Sequence, residues 1–374
     1  MKLLFITHNS NRAGAPKVLL LFLQWLKFNT DYEFDVLDMC PGDLQNDFKN
    51  VSKSYYVWNP KKKYNPNVLA KTKAKLLGSL LQDNKAKTFK EICNTPYDLI
   101  YCNTVKSIPL GSLLKQELLK SKLFVHIHEL SIAIKLMLPN ISDYVNDIDH
   151  VIAVSEIVEA QLISLFAFDQ NKISRVYAFS NFYSKTLTTR IKKQAFRIGA
   201  SGTIDWRKGA DIFLQVAYKF FKYQPNSNIE FNWVGSISST DRLILENDIE
   251  KMGLHQKVRF VGELADPFSQ YESFDIFLLT SREDPFPLVG IEVGQLGIPI
   301  ICFKGAVGTE EVLKKGGGKL VPYLDVDEMV EAILHYLEHP QQRISDGQLA
   351  KELFAPFTVD KQAPKLLDVI NKNL

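Results

Sequence analysis

The chain has 374 residues, of which 46% are hydrophobic and 23% charged, with a formal net charge of +3. That length exceeds one ordinary domain and points to two α/β domains, while the ordinary globular mixture excludes a disordered or collagen-like chain. Apolar runs such as Val18–Leu23 fall far short of the roughly 20 residues a membrane span needs.

The segment Met1–His8 turns polar too early for a signal peptide. Cys40, Cys93, Cys102 and Cys302 form no C-x-x-C pair, which fits a reduced, cytoplasmic protein without a structural zinc. The apolar run Lys2–Thr7 reads as a first strand, followed by a polar loop, Asn9–Gly14, and a helical pattern from Pro16 to Leu26. A strand is expected at Phe34–Met39. Residues 49–90 then hold eleven lysines and one acid, Asp83, with Tyr55, Tyr56, Trp58 and Tyr64 among them. Two readings fit this stretch, a solvated lysine-rich face or a surface for an anionic membrane lipid or an anionic acceptor. Nucleic acid is not expected, because the lysines are matched neither by arginines nor by a recognisable binding motif.

Further strands are expected at Leu99–Asn103, Leu123–Ile127 (just before His128-Glu129) and His150–Val154, the last ending at a helix-capping Ser155. The polar, basic stretch Asn181–Gln194 reads as a linker. The pattern then starts again, with a strand at Arg197–Ser201, a loop at Gly202–Gly209 and a helix at Ala210–Phe221. Strands follow at Glu230–Gly235, Val258–Val261, Asp275–Thr280 and Ile298–Phe303. Asp325-Val326-Asp327-Glu328 resembles a capping box opening a helix to Tyr336. Two strand–helix alternations imply an α/β fold of two Rossmann-like, doubly wound domains facing a central cleft. The expected domains are residues 1–185 and 195–356.

Two segments carry the chemistry. Gly202-Thr203-Ile204-Asp205-Trp206-Arg207-Lys208-Gly209 follows a strand and places Arg207 and Lys208 at the carboxyl end of the sheet, which suits a diphosphate. Ser281-Arg282-Glu283-Asp284-Pro285-Phe286-Pro287-Leu288-Val289-Gly290-Ile291-Glu292 also follows a strand. Pro287 fits the first turn of a short helix whose Leu288 and Val289 N–H groups offer an anion site. Glu292, one turn further, suits a vicinal diol such as a ribose, although a surface carboxylate would fit the pattern too. His126 and His128 fall on one side of an extended segment, without the further ligands a zinc site needs. His126 reads as a packing residue, Cys102 as a small buried one, and Trp206 and Trp233 as packing.

At these residues the chain resembles the retaining glycosyltransferases of family 4, with their two-domain GT-B architecture. Gly14-Ala15-Pro16-Lys17, Asn103-Thr104, His128-Glu129, Val154-Ser155, Phe260-Val261-Gly262 and Gly308-Thr309-Glu310 extend the similarity over nearly the whole chain. The resemblance implies a nucleotide-diphosphate sugar, UDP- or GDP-linked, as donor. It implies a saccharide or lipid-linked saccharide as acceptor in surface polysaccharide or lipopolysaccharide assembly, and neither cofactor nor metal. Lys208, with Arg207 and Gly202, would hold the diphosphate, and Glu292 the ribose. Val261 and Gly262 would lie at the base, and the Phe286, Pro287, Leu288 and Val289 backbone would cradle sugar and phosphate. Glu283 or Asp284 would contact the donor sugar: the family's paired acids stand eight apart, and Glu292 minus eight is Asp284. His128 would sit at the reaction centre, Gly14 near the phosphate, and Asn103 and Thr104 at the acceptor. The final segment, Phe357–Leu374, would be a helix crossing back to the first domain. The family often has Arg after the loop's first glycine, where this chain has Thr203. Two other readings of the architecture are a sugar-nucleotide epimerase and a non-catalytic nucleotide-sugar-binding protein.

Overall fold

Parallel strands covered by helices on both faces appear in a sequence as short, almost wholly apolar runs, and the computed structural model places such runs side by side in two sheets. It describes residues 1–59, 84–181 and 195–374. The chain divides into two units, Met1–Tyr177 with Val359–Leu374, and Ala178–Thr358.

Among the described residues the first unit has seven parallel strands: β1 (Lys2–Thr7), β2 (Glu33–Asp38), β3 (Tyr55–Val57), β4 (Leu99–Asn103), β5 (Lys122–Ile127), β6 (His150–Ala153) and β7 (Ile173–Arg175). Their spatial order is β3-β2-β1-β4-β5-β6-β7. The order reverses between β1 and β4, and the register pairs Thr7 with Asn103. The loops after these two strands therefore leave the sheet side by side, at the place where doubly wound sheets bind ligands. Leu3–Ile6 and Leu99–Cys102 are fully buried, and Phe5 packs on Phe22, Phe34 and Tyr101. The last helix, Val359–Asn373, lies against the helix Gly14–Asn29 and buries Val359, Ala363, Leu366 and Ile370 along one face.

The second unit repeats the plan with β8 (Phe196–Ser201), β9 (Ile229–Val234), β10 (Val258–Gly262), β11 (Ile276–Leu279), β12 (Ile300–Phe303) and β13 (Gly318–Val321). Their order is β10-β9-β8-β11-β12-β13, reversing between β8 and β11. The helix Ala210–Tyr223 covers the sheet with Phe213 and Phe220, whose rings meet Phe231 edge-on or tilted at 5.7 and 5.6 Å. Asp325 caps the helix Val326–Glu338 by accepting from the Glu328 N–H at 3.0 Å.

The sequence pattern passes over several elements. The edge strands β3 and β7 have three residues each and are only partly buried, so they lack an apolar run. The helix Ser239–Lys251 buries only Leu245 and Ile249, too thin a stripe to read as periodicity, and is fixed by Ser238 Oγ accepting from the Asp241 N–H at 3.0 Å. The expected linker Asn181–Gln194 lies outside the described residues except for Asn181, as do residues 60–83 of the lysine-rich stretch. Among the described residues no helix is long and apolar enough to cross a membrane.

Candidate functional site

In the second unit the loops after β8 and β11 are tied together. Gly209, at φ +71°, opens the helix Ala210–Tyr223 with its α-carbon against the Thr280 carbonyl, where a Cβ would stand 2.1 Å from that oxygen. Thr280 Oγ1 donates to the Gly209 carbonyl at 2.9 Å and lies 3.2 Å from that of Lys208. Arg282 donates to both Asp211 carboxylate oxygens at 3.0 and 2.7 Å and to the Trp206 carbonyl at 2.7 Å. The Arg282 N–H in turn donates to the Arg207 carbonyl at 2.7 Å. Lys208 is thus delivered to Asp284, with Nζ 2.5 Å from Oδ2. Arg207 Nη1 stands 3.5 Å from Asp284 Oδ1 and donates to the Glu283 carbonyl at 3.1 Å. Burial lowers the Lys208 pKa; Asp284 opposes that shift and Arg207 adds to it. The result is a largely buried, ion-paired ammonium at the carboxyl ends of two central strands. One N–H satisfies Asp284, and an ammonium carries three.

Asp284 also pairs through its backbone. Its N–H donates to Ala306 O and its carbonyl accepts from Gly308 N–H, both at 2.9 Å. This places Gly308-Thr309 behind the helix Leu288–Gln295, where the ideal Cβ position of Gly290 lies 3.0 Å from Thr309 Oγ1. Pro287 stands one residue earlier than the sequence suggests. It is the cap rather than the first helical residue, and the Gly290 and Ile291 N–H groups both donate to its carbonyl. The helical ladder starts at those two residues, so the Leu288 and Val289 N–H groups belong to the open N-terminus and favour an anion. Glu292 follows in the next turn, half-buried, its Oε1 accepting from Ser180 Oγ at 3.0 Å. Tyr271, the last residue of the short helix Phe268–Tyr271 before β11, shares a 2.8 Å hydrogen bond with Ser201 Oγ; burial first and the nearby Glu292 charge second push its hydroxyl pKa up.

Gly202, just past β8, and Gly262, ending β10, are held at positive φ, +151° and +90°. Gly235, just past β9, closes the row. Its N–H donates to Gly262 O at 2.9 Å, and a Cβ there would meet the Gly202 carbonyl at 2.0 Å. Val261 lies in β10 at the register shift between Phe260 and Gly262. Trp233 is buried and also donates through Nε1 to Gly202 O at 2.9 Å. Thr203, in place of the family's Arg, accepts from Ser236 Oγ at 3.0 Å. Arg207 is engaged with the Glu283 carbonyl and the Asp284 carboxylate.

The first unit builds a second cluster at its own strand ends. Asn103 Oδ1 stands 3.1 Å from His128 Nε2, and Asn103 Nδ2 donates to Ala15 O at 3.1 Å. Glu129 Oε2 accepts from the His128 N–H at 3.0 Å and from that of Val105 at 3.4 Å. Thr104 is held at φ +86°, a strained value for a β-branched residue, with its Oγ1 2.8 Å from His8 Nδ1. His126 lies beside His128, ring centroids 4.1 Å apart, with the Tyr101 hydroxyl 2.7 Å from its Nδ1. Burial lowers all three histidines: His8 to about 4, His126 to about 3, and His128 well below its ordinary value. They are therefore neutral imidazoles at pH 7, able to accept or donate but carrying no charge. Gly14 begins the exposed start of the helix Gly14–Asn29 in this unit. Cys102 is buried, its Sγ 3.3 Å from Ser107 O and its thiol pushed up to about 12, so it is no thiolate nucleophile. Among the described residues no three His, Cys, Asp or Glu side chains come together to hold a metal ion.

The structure thus groups Gly202, Arg207, Lys208, Val261, Gly262, Glu283, Asp284, Phe286, Pro287, Leu288, Val289 and Glu292 in the second unit, and Gly14, Asn103, Thr104 and His128 in the first. The sequence reading missed His8, Ser180, Gly235 and Tyr271. His8 and Gly235 each directly follow a strand, a signal that was legible. Ser180 and Tyr271 carry none.

Residues 195–339 match the family model of Glycosyl transferases group 1. An uncharacterized glycosyltransferase of Haemophilus influenzae is 26% identical over 155 residues, 41% of this chain and 43% of that protein. The lipopolysaccharide core biosynthesis mannosyltransferase LpcC of Rhizobium leguminosarum bv. viciae is 22% identical over 187 residues, 47% of this chain and 51% of that one. The chain spans about half the length of these relatives. A crystal structure of Anabaena HepE in complex with UDP and glucose has a TM-score of 0.81 at 20% identity and covers 100% of both chains, which shows a shared fold.

Proposed function

From a chain whose second unit carries the group 1 glycosyltransferase module and whose two Rossmann-like units follow the GT-B plan, we propose a retaining glycosyltransferase. It moves a sugar from a UDP- or GDP-linked donor to a saccharide or lipid-linked saccharide acceptor in surface polysaccharide or lipopolysaccharide assembly. The observation that carries the reading is the Lys208–Asp284 pair set beside the open N-terminus of the helix Leu288–Gln295. A nucleoside diphosphate leaves with growing negative charge, and preorganised cations and helix N–H groups stabilise that charge where it develops. Lys208 would take the diphosphate with its remaining donors, and Glu292 the ribose hydroxyls. Of the two neighbouring acids, Asp284 is assigned to the donor sugar, because its carboxylate lies at Lys208 while Glu283 meets Arg207 through its carbonyl. The neutral His128 and Asn103 pair and the strained Thr104 are assigned to the acceptor and reacting sugar in the first unit. The LpcC relative, named for lipopolysaccharide core biosynthesis, supports the pathway class, and HepE, bound to UDP and glucose, supports the donor class.

The test is transfer from UDP- and GDP-sugars by the wild type, Lys208→Ala and Glu292→Ala, with the anomeric configuration of the product read from its anomeric proton coupling. Loss of most transfer in both variants, and retention in the product, are expected. Full activity in both variants would overturn the site assignment, and an inverted product would overturn retention. We further propose that the lysines of residues 49–90 hold the enzyme on anionic lipid at a cytoplasmic membrane face. Vesicles with phosphatidylserine should capture it at low salt and release it at high salt, and no capture at low salt would exclude this.

A further inference from the structure

Glu292 is oriented by a residue far from it in sequence. Ser180 is 5% exposed and donates through Oγ to Glu292 Oε1 at 3.0 Å. The backbone fixes Ser180 in turn: its N–H donates to Phe357 O at 3.2 Å, and it pairs with Thr358 in a parallel bridge. The Phe357 ring meets Phe286 edge-on with centroids 5.0 Å apart, and Phe354 at 5.9 Å. Phe286 directly precedes Pro287, the cap of the helix that carries Glu292. A closed ring of contacts, Phe286 to Phe357 to Ser180 to Glu292, therefore spans the first turn of that helix.

A carboxylate has two oxygens and about four acceptor sites, and the Ser180 hydroxyl takes one of them on Oε1. The terminal torsion of a glutamate is broad and finds no deep well of its own. Accepting two hydroxyls of a vicinal diol requires one orientation of the carboxylate plane, and the ring of contacts supplies it. We propose that Ser180 is a positioning residue that sets the Glu292 carboxylate for the 2′- and 3′-hydroxyls of a nucleoside diphosphate. This rests on the assignment of the second unit to the donor nucleotide. Ser180 itself touches no substrate; it acts through Glu292, at the place where the chain enters the second unit from the first.

The experiment is calorimetric titration of the full chain with UDP and GDP, and with the 2′,3′-dideoxy form of whichever binds, for the wild type, Ser180→Ala and Ser180→Thr. Ser180→Ala should weaken the ribonucleotide about tenfold, the factor of one charge-assisted hydrogen bond at the low end of its range. It should leave the dideoxy nucleotide unchanged, and Ser180→Thr, which keeps the hydroxyl, should recover most of the loss. Equal losses for both nucleotides would make Ser180 a general packing residue and overturn the proposal. No loss for either would overturn it while leaving the nucleotide assignment intact. A wild type that binds neither UDP nor GDP would overturn that assignment and the proposal with it. Should Ser180→Ala not fold, Ser180→Cys, of nearly the same volume and a weak donor, gives the same comparison.

Discussion

Acidification from pH 7 to pH 5 should cost this protein several kcal/mol of stability, through histidines buried neutral in the first unit. His8 falls from 6.5 to about 4 and His126 to about 3, chiefly by desolvation. An unfolded chain binds a proton at each of these imidazoles below about pH 6.5, and the native chain does not. Stability therefore rises with pH across this window, and is lost as pH falls from about 6.5 toward the native values. At pH 5 the unfolded imidazoles lie about 1.5 pH units below their midpoint, so each costs about 2 kcal/mol at 1.36 kcal/mol per unit. The two together cost about 4 kcal/mol, and His128, lowered in the same direction, adds to them. That is a large part of a typical stability of about 5–15 kcal/mol. The ion-paired Asp149 and Asp211 are lowered from 3.8, so their contribution is lost below that value and leaves the window clear. Urea unfolding of the wild type and of a His8→Asn, His126→Asn double variant, each at pH 7 and pH 5, isolates the effect. Asparagine keeps a hydrogen-bonding atom near the Nδ1 positions that face Thr104 and Tyr101. The double variant should lose about 4 kcal/mol less than the wild type between the two pH values. Equal losses would refute the assignment of neutral buried imidazoles.

Three further outcomes follow from the second unit. Lys208→Ala should weaken nucleoside diphosphate binding by about 10- to 100-fold, the worth of a charge-assisted contact, as measured by calorimetry. Asp284→Asn removes the charge that raises Lys208 against its burial; the Lys208 midpoint should fall further in an NMR titration, and an unchanged midpoint would show that the pair is not coupled. Gly209→Ala and Gly253→Ala both force a side chain onto φ +71°, but only the first meets an obstacle, the Thr280 carbonyl, while the second faces open space. The second should cost about 1 kcal/mol of left-handed strain and the first clearly more, read as the difference in melting temperature.

Local patterns were legible and distant pairings were not. The sequence placed β4 at Leu99–Asn103, its residues in the structure, because a central parallel strand is buried throughout and nearly continuously apolar. It also placed the loop that holds Lys208 and the short helix that holds Glu292, because glycines, a proline and charges punctuate strand ends. It could not show that Lys208 meets Asp284 across 76 residues, or that Ser180 reaches Glu292 across 112. No period or spacing encodes such contacts; the first follows from the strand order, which brings the ends of β8 and β11 together, and the second from the pairing of Ser180 with Thr358. Edge strands and the polar helix Ser239–Lys251 escaped because they bury too little to impose a pattern. The neutral state of His8 was hidden for another reason: burial sets it, and Asn9 and Asn11 beside it make the segment read as solvated loop.

The central claim, a nucleoside diphosphate site built on Lys208 in the second unit, is tested most directly by thermal stabilisation with UDP, GDP, ADP, CMP and NAD at matched concentrations. A ligand at one hundred times its dissociation constant adds about 2.7 kcal/mol, a shift easily resolved. A clear rise with UDP or GDP in the wild type, reduced to the equivalent of about 0.4–1.4 kcal/mol in Lys208→Ala at the same concentration, is the predicted result. A rise that persists undiminished in Lys208→Ala, or no rise with any nucleoside diphosphate, would contradict it.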